Sequence, residues 1–339
     1  MTDSIDTNLG VTVPTEDNTN PLLKINTSFS SYLAARTRSY KEHLVNGGSL
    51  DYAYDADFAM RQKSNSIAGW NKLYRTIVTQ DIPIEIKWLF SKASAVGSMK
   101  FPEVYEISKA CAERLEMPLP VIYVKETVDR PEIFSYAGEG VMEPCISLSK
   151  GLVKCATKEE LRFLIGCEFG RIQNNHCAYS MAYRYLGEEN LENMDYNNLG
   201  EEISSQLIYT YGQWLKVCEI TIDRAGIMCS DIPERYSEII NGIHKKGVVN
   251  FYGAPKDELD IHQLTEHHKV LHTTPARNIM ISPRYSDNDK RIFAGMEFIS
   301  CETLYNWRED LKSDDIHTIS KQILEVRCDM IMGAAKEGV

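Results

Sequence analysis

The sequence predicts an α+β fold in which a small, mainly antiparallel sheet is set against long helices. Two observations carry the prediction. Strand signals cluster at 121–124, 133–136 and 145–148, and long helical segments follow at 157–174 and about 203–229. With 43% hydrophobic and 25% charged residues, most of the 339-residue chain can bury a core.

In chain order, residues 1–25 are rich in Thr, Asn, Asp and Ser, which bury too little apolar area to offset the entropy of ordering. They are expected to form a flexible acidic arm. At 26–90, Tyr32, Leu33, Tyr40, Trp70, Leu73, Tyr74 and Ile77 recur irregularly, as in short helices joined by polar turns. A central domain is expected at 91–245. It opens with a helix after Pro102, whose apolar face is Val104, Ile107, Cys111, Ala112 and Leu115. The three strand signals follow, with Gly138 and Gly140 marking a turn, and an antiparallel sheet is expected from them. Thr157 with Glu160 forms a capping box for the 157–174 helix. The acidic, Asn-rich stretch 188–201 suits a solvated connection, and a further helix is expected at 236–244. A helical region at 246–339 should pack on this domain, with helical spacing at Ile316, Ile319, Ile323 and Met330.

Charge excludes some classes of function. A net charge of -11 and a pI near 5.3 leave no basic surface for a phosphate backbone, so no nucleic-acid partner is expected. Nine cysteines without a Cys-x-x-Cys pair suggest reduced, packed thiols. The N-terminus lacks a basic start and an apolar stretch, and no run of about 18 apolar residues occurs. A cytoplasmic location without a membrane span is the expectation.

The helix at 157–174 contains Cys167-Glu168-Phe169-Gly170-Arg171. Zinc peptidases place His-Glu-x-x-His on a helix because positions four apart share a face, so two imidazoles meet one metal and the Glu reaches its water. Here Glu168 keeps its place, while Cys167 and Arg171 stand at the imidazole positions. The flanking stretches ISLSKGLV at 146–153 and EELRFLIGCEFGRIQNNH at 159–176 resemble the zinc metallopeptidase family that contains HtpX and the CAAX prenyl endopeptidase. A second block, Glu219-Ile-Thr-Ile-Asp223-Arg224-Ala-Gly226, is similar to that family's Glu-x-x-x-Asp-Arg-Ala-Gly. The upstream segment from Phe101 to Tyr123 is similar to its lead-in helix and first strand. The resemblance covers about 87–242 and implies a zincin-like metallopeptidase fold. It also implies that Glu219 was the third zinc ligand and that Asp223 supported the site from behind. The family's Asn near the substrate-facing strand is missing around Glu132, and its later His-Pro element is represented by Thr274-Pro275.

A guanidinium stays protonated and offers no lone pair, so Arg171 blocks metal instead of binding it. Zinc is therefore expected to be lost, with no metal and no catalytic residue, Glu168 being a vestigial general base. Arg171 is expected to fill the vacated volume and pair with Glu219 and Glu168, with Asp223 and Arg224 extending the network.

Cys167 as a nucleophile with His176 is disfavoured, because His176 falls about 180° away on the helix. His268 and His272 have the spacing of a helical metal pair, but no third ligand is evident and a solvated polar helix is the simpler reading. The expected function is that of an inactive metallopeptidase homologue. It would bind peptide or protein as a scaffold or regulatory subunit, an active homologous peptidase being one candidate partner. Two alternatives remain. One is an active zinc endopeptidase with ligands from Cys167, Glu219 and a downstream His; the other is a thiol-dependent hydrolase using Cys167.

Overall fold

The computed structural model describes residues 43–45, 48–138, 142–186, 201–251, 259–313 and 316–333. These lie in the compact unit His43–Val339. The arm expected at 1–25 and the connection expected at 188–200 fall outside the described residues.

The described chain opens with a minimal hairpin, β1 (Leu44–Val45) and β2 (Ser49–Leu50), paired antiparallel with Leu44 opposite Leu50. Tyr52, Ala53 and Tyr54 then plunge into the core and lead into α1 (Asp55–Asn65). Helix α2 (Trp70–Thr76) runs through a π turn (Ile77–Asp81) into α3 (Ile82–Lys92), which Pro83 enters at its first turn, where no amide donor is needed.

The sheet comprises β3 (Ser94–Ala95), β4 (Val121–Lys125), β5 (Ile133–Gly138) and β6 (Met142–Ser149), in the order β3-β4-β6-β5. Helix α4 (Pro102–Arg114) crosses between β3 and β4 and buries the apolar face read from the sequence. The β3–β4 and β5–β6 pairs are antiparallel, but β4 and β6 run parallel, with Val121 beside Cys145 and Val124 beside Leu148. The expectation of an antiparallel sheet is corrected at that pair. After the turn β6 passes back between β5 and β4, so it opposes the former and follows the latter.

Ser149 caps the short α5 (Lys150–Cys155), and Thr157 with Glu160 forms the expected capping box of α6 (Lys158–Gln173). Helix α7 (His176–Leu186) and the 29-residue α8 (Glu201–Cys229) follow. Helices α6 and α8 cross at close range. A Cβ on Gly166 would lie 2.6 Å from Cys229 Cβ, one on Gly170 2.4 Å from Ala225 Cβ, and one on Gly226 2.7 Å from Cys167 Sγ. These glycines let the backbones approach, and every α6 residue from Phe163 to Gln173 is buried.

Helices α9 (Tyr236–Lys245), α10 (Ile261–Thr273), α11 (Asp287–Phe298), α12 (Glu302–Trp307) and α13 (Lys321–Met332) complete the unit. The helical spacing read from Ile316 onward is corrected, because the helix begins only at Lys321 behind the Ser320 cap. Ile319 instead bridges Cys301 as a parallel β-bridge and donates its amide to Ser300. Tertiary pairing there takes the backbone groups that a helix would use. Among the described residues no helix is long and apolar enough to cross a membrane.

Candidate functional site

Helix α6 carries Cys167, Glu168 and Arg171 into the interior between β5 and α8. Glu168 and Arg171 are 1% and 0% exposed, which a charged pair tolerates only when each finds partners. Glu168 Oε2 accepts 2.6 Å from Ser135 Oγ on β5 and 3.2 Å from Arg171 Nε, one helical turn along. Arg171 Nη1 also donates to Ser180 Oγ on α7 at 3.4 Å, and its Cζ lies 5.6 Å from the Phe251 ring centroid. Ser135 therefore presents its donor to the carboxylate at the Glu position of the His-Glu-x-x-His pattern.

Glu219 and Asp223 lie one turn apart on α8, on the side facing α11. Their counterion is Arg291, from the second turn of α11. Its Nε and Nη2 donate to the two oxygens of Asp223, each at 2.6 Å, and its Nη1 reaches Glu219 Oε1 at 2.7 Å. Tyr236 Oη adds a 2.8 Å bond to Asp223. Burial raises the Glu219 carboxyl above its ordinary range, opposed by the Arg291 and Arg171 charges. The expected Arg171–Glu219 pair is thus corrected. Arg171 turns toward β5 and Glu168, and Arg291 takes Glu219.

Arg224 is not part of this network either. Successive helical residues point about 100° apart, so it leaves Asp223 and enters the opposite interior. There Nη1 donates to Glu325 at 2.7 Å and to the Tyr52 carbonyl at 3.1 Å, and the guanidinium sits over the Tyr54 and Phe298 rings. Arg291 was not legible as a site residue. It lies 68 residues after Asp223, and the only local signal is the Ser286–Asp289 capping box that starts its helix.

Cys167 packs against Gly226 with 5% exposure, and burial together with the Asp223 charge pushes its thiol well above the usual range. A thiol so placed is a core group, not a nucleophile. His176, fully buried, bonds instead to Asp57 of α1 at 2.9 Å. Asp57 also accepts from Trp214 Nε1 at 2.7 Å, Thr221 Oγ1 at 2.8 Å and Arg61 Nε at 3.3 Å. This buried node ties α1, α7 and α8 together.

The donor set does not suit zinc. At the two imidazole positions stand a buried thiol and a guanidinium, and the guanidinium stays protonated and has no lone pair to donate, so the two-imidazole face is gone. Among the described residues, no His, Cys, Asp or Glu joins Cys167 and Glu219 to make a three-ligand cluster.

The outer side of β5 is in contact with the chain's own residues. Val249 bridges Glu132, accepting from Ile133 N at 3.0 Å and donating to the Pro131 carbonyl at 2.9 Å. Phe251, 4% exposed, packs edge-on against Phe134 and Tyr136 and lies over Arg171.

Part of this arrangement, the segment with Ser135, Glu168 and Arg171, is similar to a known family. The model described as Peptidase family M48 matches residues 98–195, from α4 through the β strands to α6 and α7. Among curated relatives, a protein named Protease HtpX homolog from Thermodesulfovibrio yellowstonii is 27% identical over 88 residues, 26% of this chain and 30% of the relative. A Protease HtpX homolog from Streptococcus gordonii is 29% identical over 90 residues, again 26% of this chain and 30% of the relative. The chain thus spans under a third of the length of these relatives, and no solved structure matches it significantly. The matched segment, which holds Ser135, Glu168 and Arg171, is similar to peptidase family M48.

Proposed function

We propose that the chain is a catalytically inactive member of its family, a pseudopeptidase that acts by binding a protein or peptide partner as a scaffold or regulatory subunit. One observation supports this most directly. The three carboxylates of the former metal site, Glu168, Glu219 and Asp223, face two guanidinium groups, Arg171 and Arg291. Together these supply two positive charges, the charge of a zinc ion, as permanent parts of the chain. A hydrolytic water needs a metal or a free base to activate it. Here Glu168 is held by Ser135 and Arg171, and among the described residues no three-ligand cluster accompanies it.

The binding role fits the same geometry. Filling the cleft with ion pairs keeps α6, α8 and β5 in their places without a metal, so the outer surfaces of the fold persist. Extended peptides often add to a sheet edge, but Val249 already occupies the β5 edge at Glu132 and Ile133. A folded partner, such as an active homologous peptidase, therefore suits the chain better than an extended substrate in the old cleft.

Hydrolysis of an unfolded protein such as reduced casein tests the reading, with added zinc and with Glu168→Gln as control. The chain is expected to match its Glu168→Gln variant at background. Zinc-stimulated cleavage that Glu168→Gln abolishes would overturn the proposal.

A further inference from the structure

We infer that the chain carries a separate binding site for a zinc-class divalent cation, built from His268 and His272 of α10 and Glu297 of α11. The three side chains place one ligand atom each within 4.8 Å of one another. Two nitrogens and one carboxylate oxygen are a donor set that zinc accepts, water completing the coordination.

The distances are compatible with a metal. His268 Nε2 stands 3.3 Å from Glu297 Oε1, and His272 Nδ1 makes a long hydrogen-bond contact of 3.4 Å with Glu297 Oε2. Ligands held about 2.0–2.1 Å from a tetrahedral metal lie roughly 3.3 Å apart, so the pairs have the separation of neighbouring ligands. His268 Nε2 is also shielded from solvent and makes no well-formed hydrogen bond. A buried polar nitrogen left in that state costs free energy, and a metal would relieve it. The imidazoles, four residues apart on one helix face, are inclined by 34° with centroids 5.7 Å apart.

Arg327 of α13 holds the third ligand. Its Nε donates to Glu297 Oε2 at 2.7 Å and its Nη2 to Oε1 at 2.8 Å. A carboxylate has about four lone-pair positions, so this fork leaves about one on each oxygen for another partner. The same guanidinium donates to the carbonyls of Leu271 and Thr274, each at 2.7 Å, which fixes the end of α10 against Glu297. An outer partner that orients a ligating carboxylate is a usual part of metal sites. Its positive charge also opposes the cation, so moderate affinity is expected. His272 is 41% exposed and gives the ion a path from solvent, while Glu297 is fully buried.

The base that a peptidase would place after the first His is Lys269 here, paired with Glu266 on the surface. The site therefore has no hydrolytic base of its own, and its role is to clip α10 to α11. Six residues before Glu297 the same α11 presents Arg291 to the old cleft.

The test uses the full chain, stripped with chelator and titrated with zinc at neutral pH, then with cobalt as a spectroscopic probe. One equivalent should bind, with cobalt absorption of low-symmetry nitrogen and oxygen coordination. His272→Ala and His268→Ala should each weaken binding at least tenfold, whereas Cys167→Ala and Glu219→Gln should leave it unchanged. Because His272 is exposed, its substitution tests the site without disturbing the core. Absence of binding, or binding that both histidine variants retain, would overturn the inference. Zinc lost on Glu219→Gln would instead place the metal in the old cleft and count against the pseudopeptidase reading.

Discussion

Arg291 Nη1 stands 2.7 Å from Glu219 Oε1 while the rest of the same guanidinium grips Asp223 in a two-bond fork. One side chain from α11 thereby pairs with two acids on successive turns of α8. Asp223 is wholly buried, so its charge depends on that contact. Replacing Arg291 by Met should cost about 3–5 kcal/mol, the range for a buried pair that loses one member. Adding Asp223→Asn to Arg291→Met should recover part of the loss, since the stranded charge is then gone. Equilibrium urea unfolding of the two variants would read this, and an Arg291→Met protein as stable as the parent would refute it.

The Asp57 node sets an acid limit on the fold. Burial by itself would raise this carboxyl, but the His176 and Arg61 charges and the bonds from His176 and Thr221 outweigh it, holding it well below the usual carboxylate range. The folded form thus binds its proton less readily than the unfolded chain, whose Asp titrates near about 3.9. Stability from Asp57 is fully present above that value and is lost as pH falls below it. Unfolding free energies measured from neutral to acid pH should drop less steeply in Asp57→Asn, from a lower starting point. Parallel pH profiles for the two proteins would show that Asp57 is not responsible.

Thiol chemistry separates Cys167 from a nucleophile. Cys155 is exposed, whereas Cys167 is buried beside Asp223 with its thiol pushed well up. Iodoacetamide at neutral pH should label Cys155 first, and Cys167 only at the rate of unfolding. Peptide mapping by mass spectrometry gives the order. Early modification of Cys167 would revive the thiol-hydrolase alternative.

Local chemistry explains which features were legible in the sequence. The α6 helix was readable because Thr157 and Glu160 announce its start, and Glu168, Glu219 and Asp223 because the stretches around them resemble metallopeptidase motifs. The partners of those acids were not, since ion pairing depends on which distant helix packs alongside. Arg171 turned to Glu168 and Ser135 because β5 lies on that side, and Arg291 arrived from a helix with no motif of its own. Arg224, adjacent to Asp223 in sequence, ended at Glu325 for the same reason. The sheet shows the same limit. Its strands were visible as apolar runs, but the parallel β4–β6 pair depends on a strand order that no local pattern encodes.

The Arg171–Glu168 pair offers the sharpest test of how the metal was replaced. Both side chains are enclosed, and the guanidinium also stacks on Phe251. Arg171→Ala strands the carboxylate and opens a cavity, so a loss of about 3–5 kcal/mol is expected. Glu168→Gln in the parent leaves the guanidinium short of its anion and should also destabilise. Joined as Glu168→Gln with Arg171→Met, the two changes remove both charges while keeping volume and the acceptor for Ser135. Buried ion pairs replaced in this way are often neutral in stability. The double variant should therefore be more stable than either Glu168→Gln or Arg171→Met alone, an interaction that a double-mutant cycle measures directly. Strictly additive losses would mean that the pair does not act as a unit, and that Arg171 is retained for its bulk against Phe251 alone.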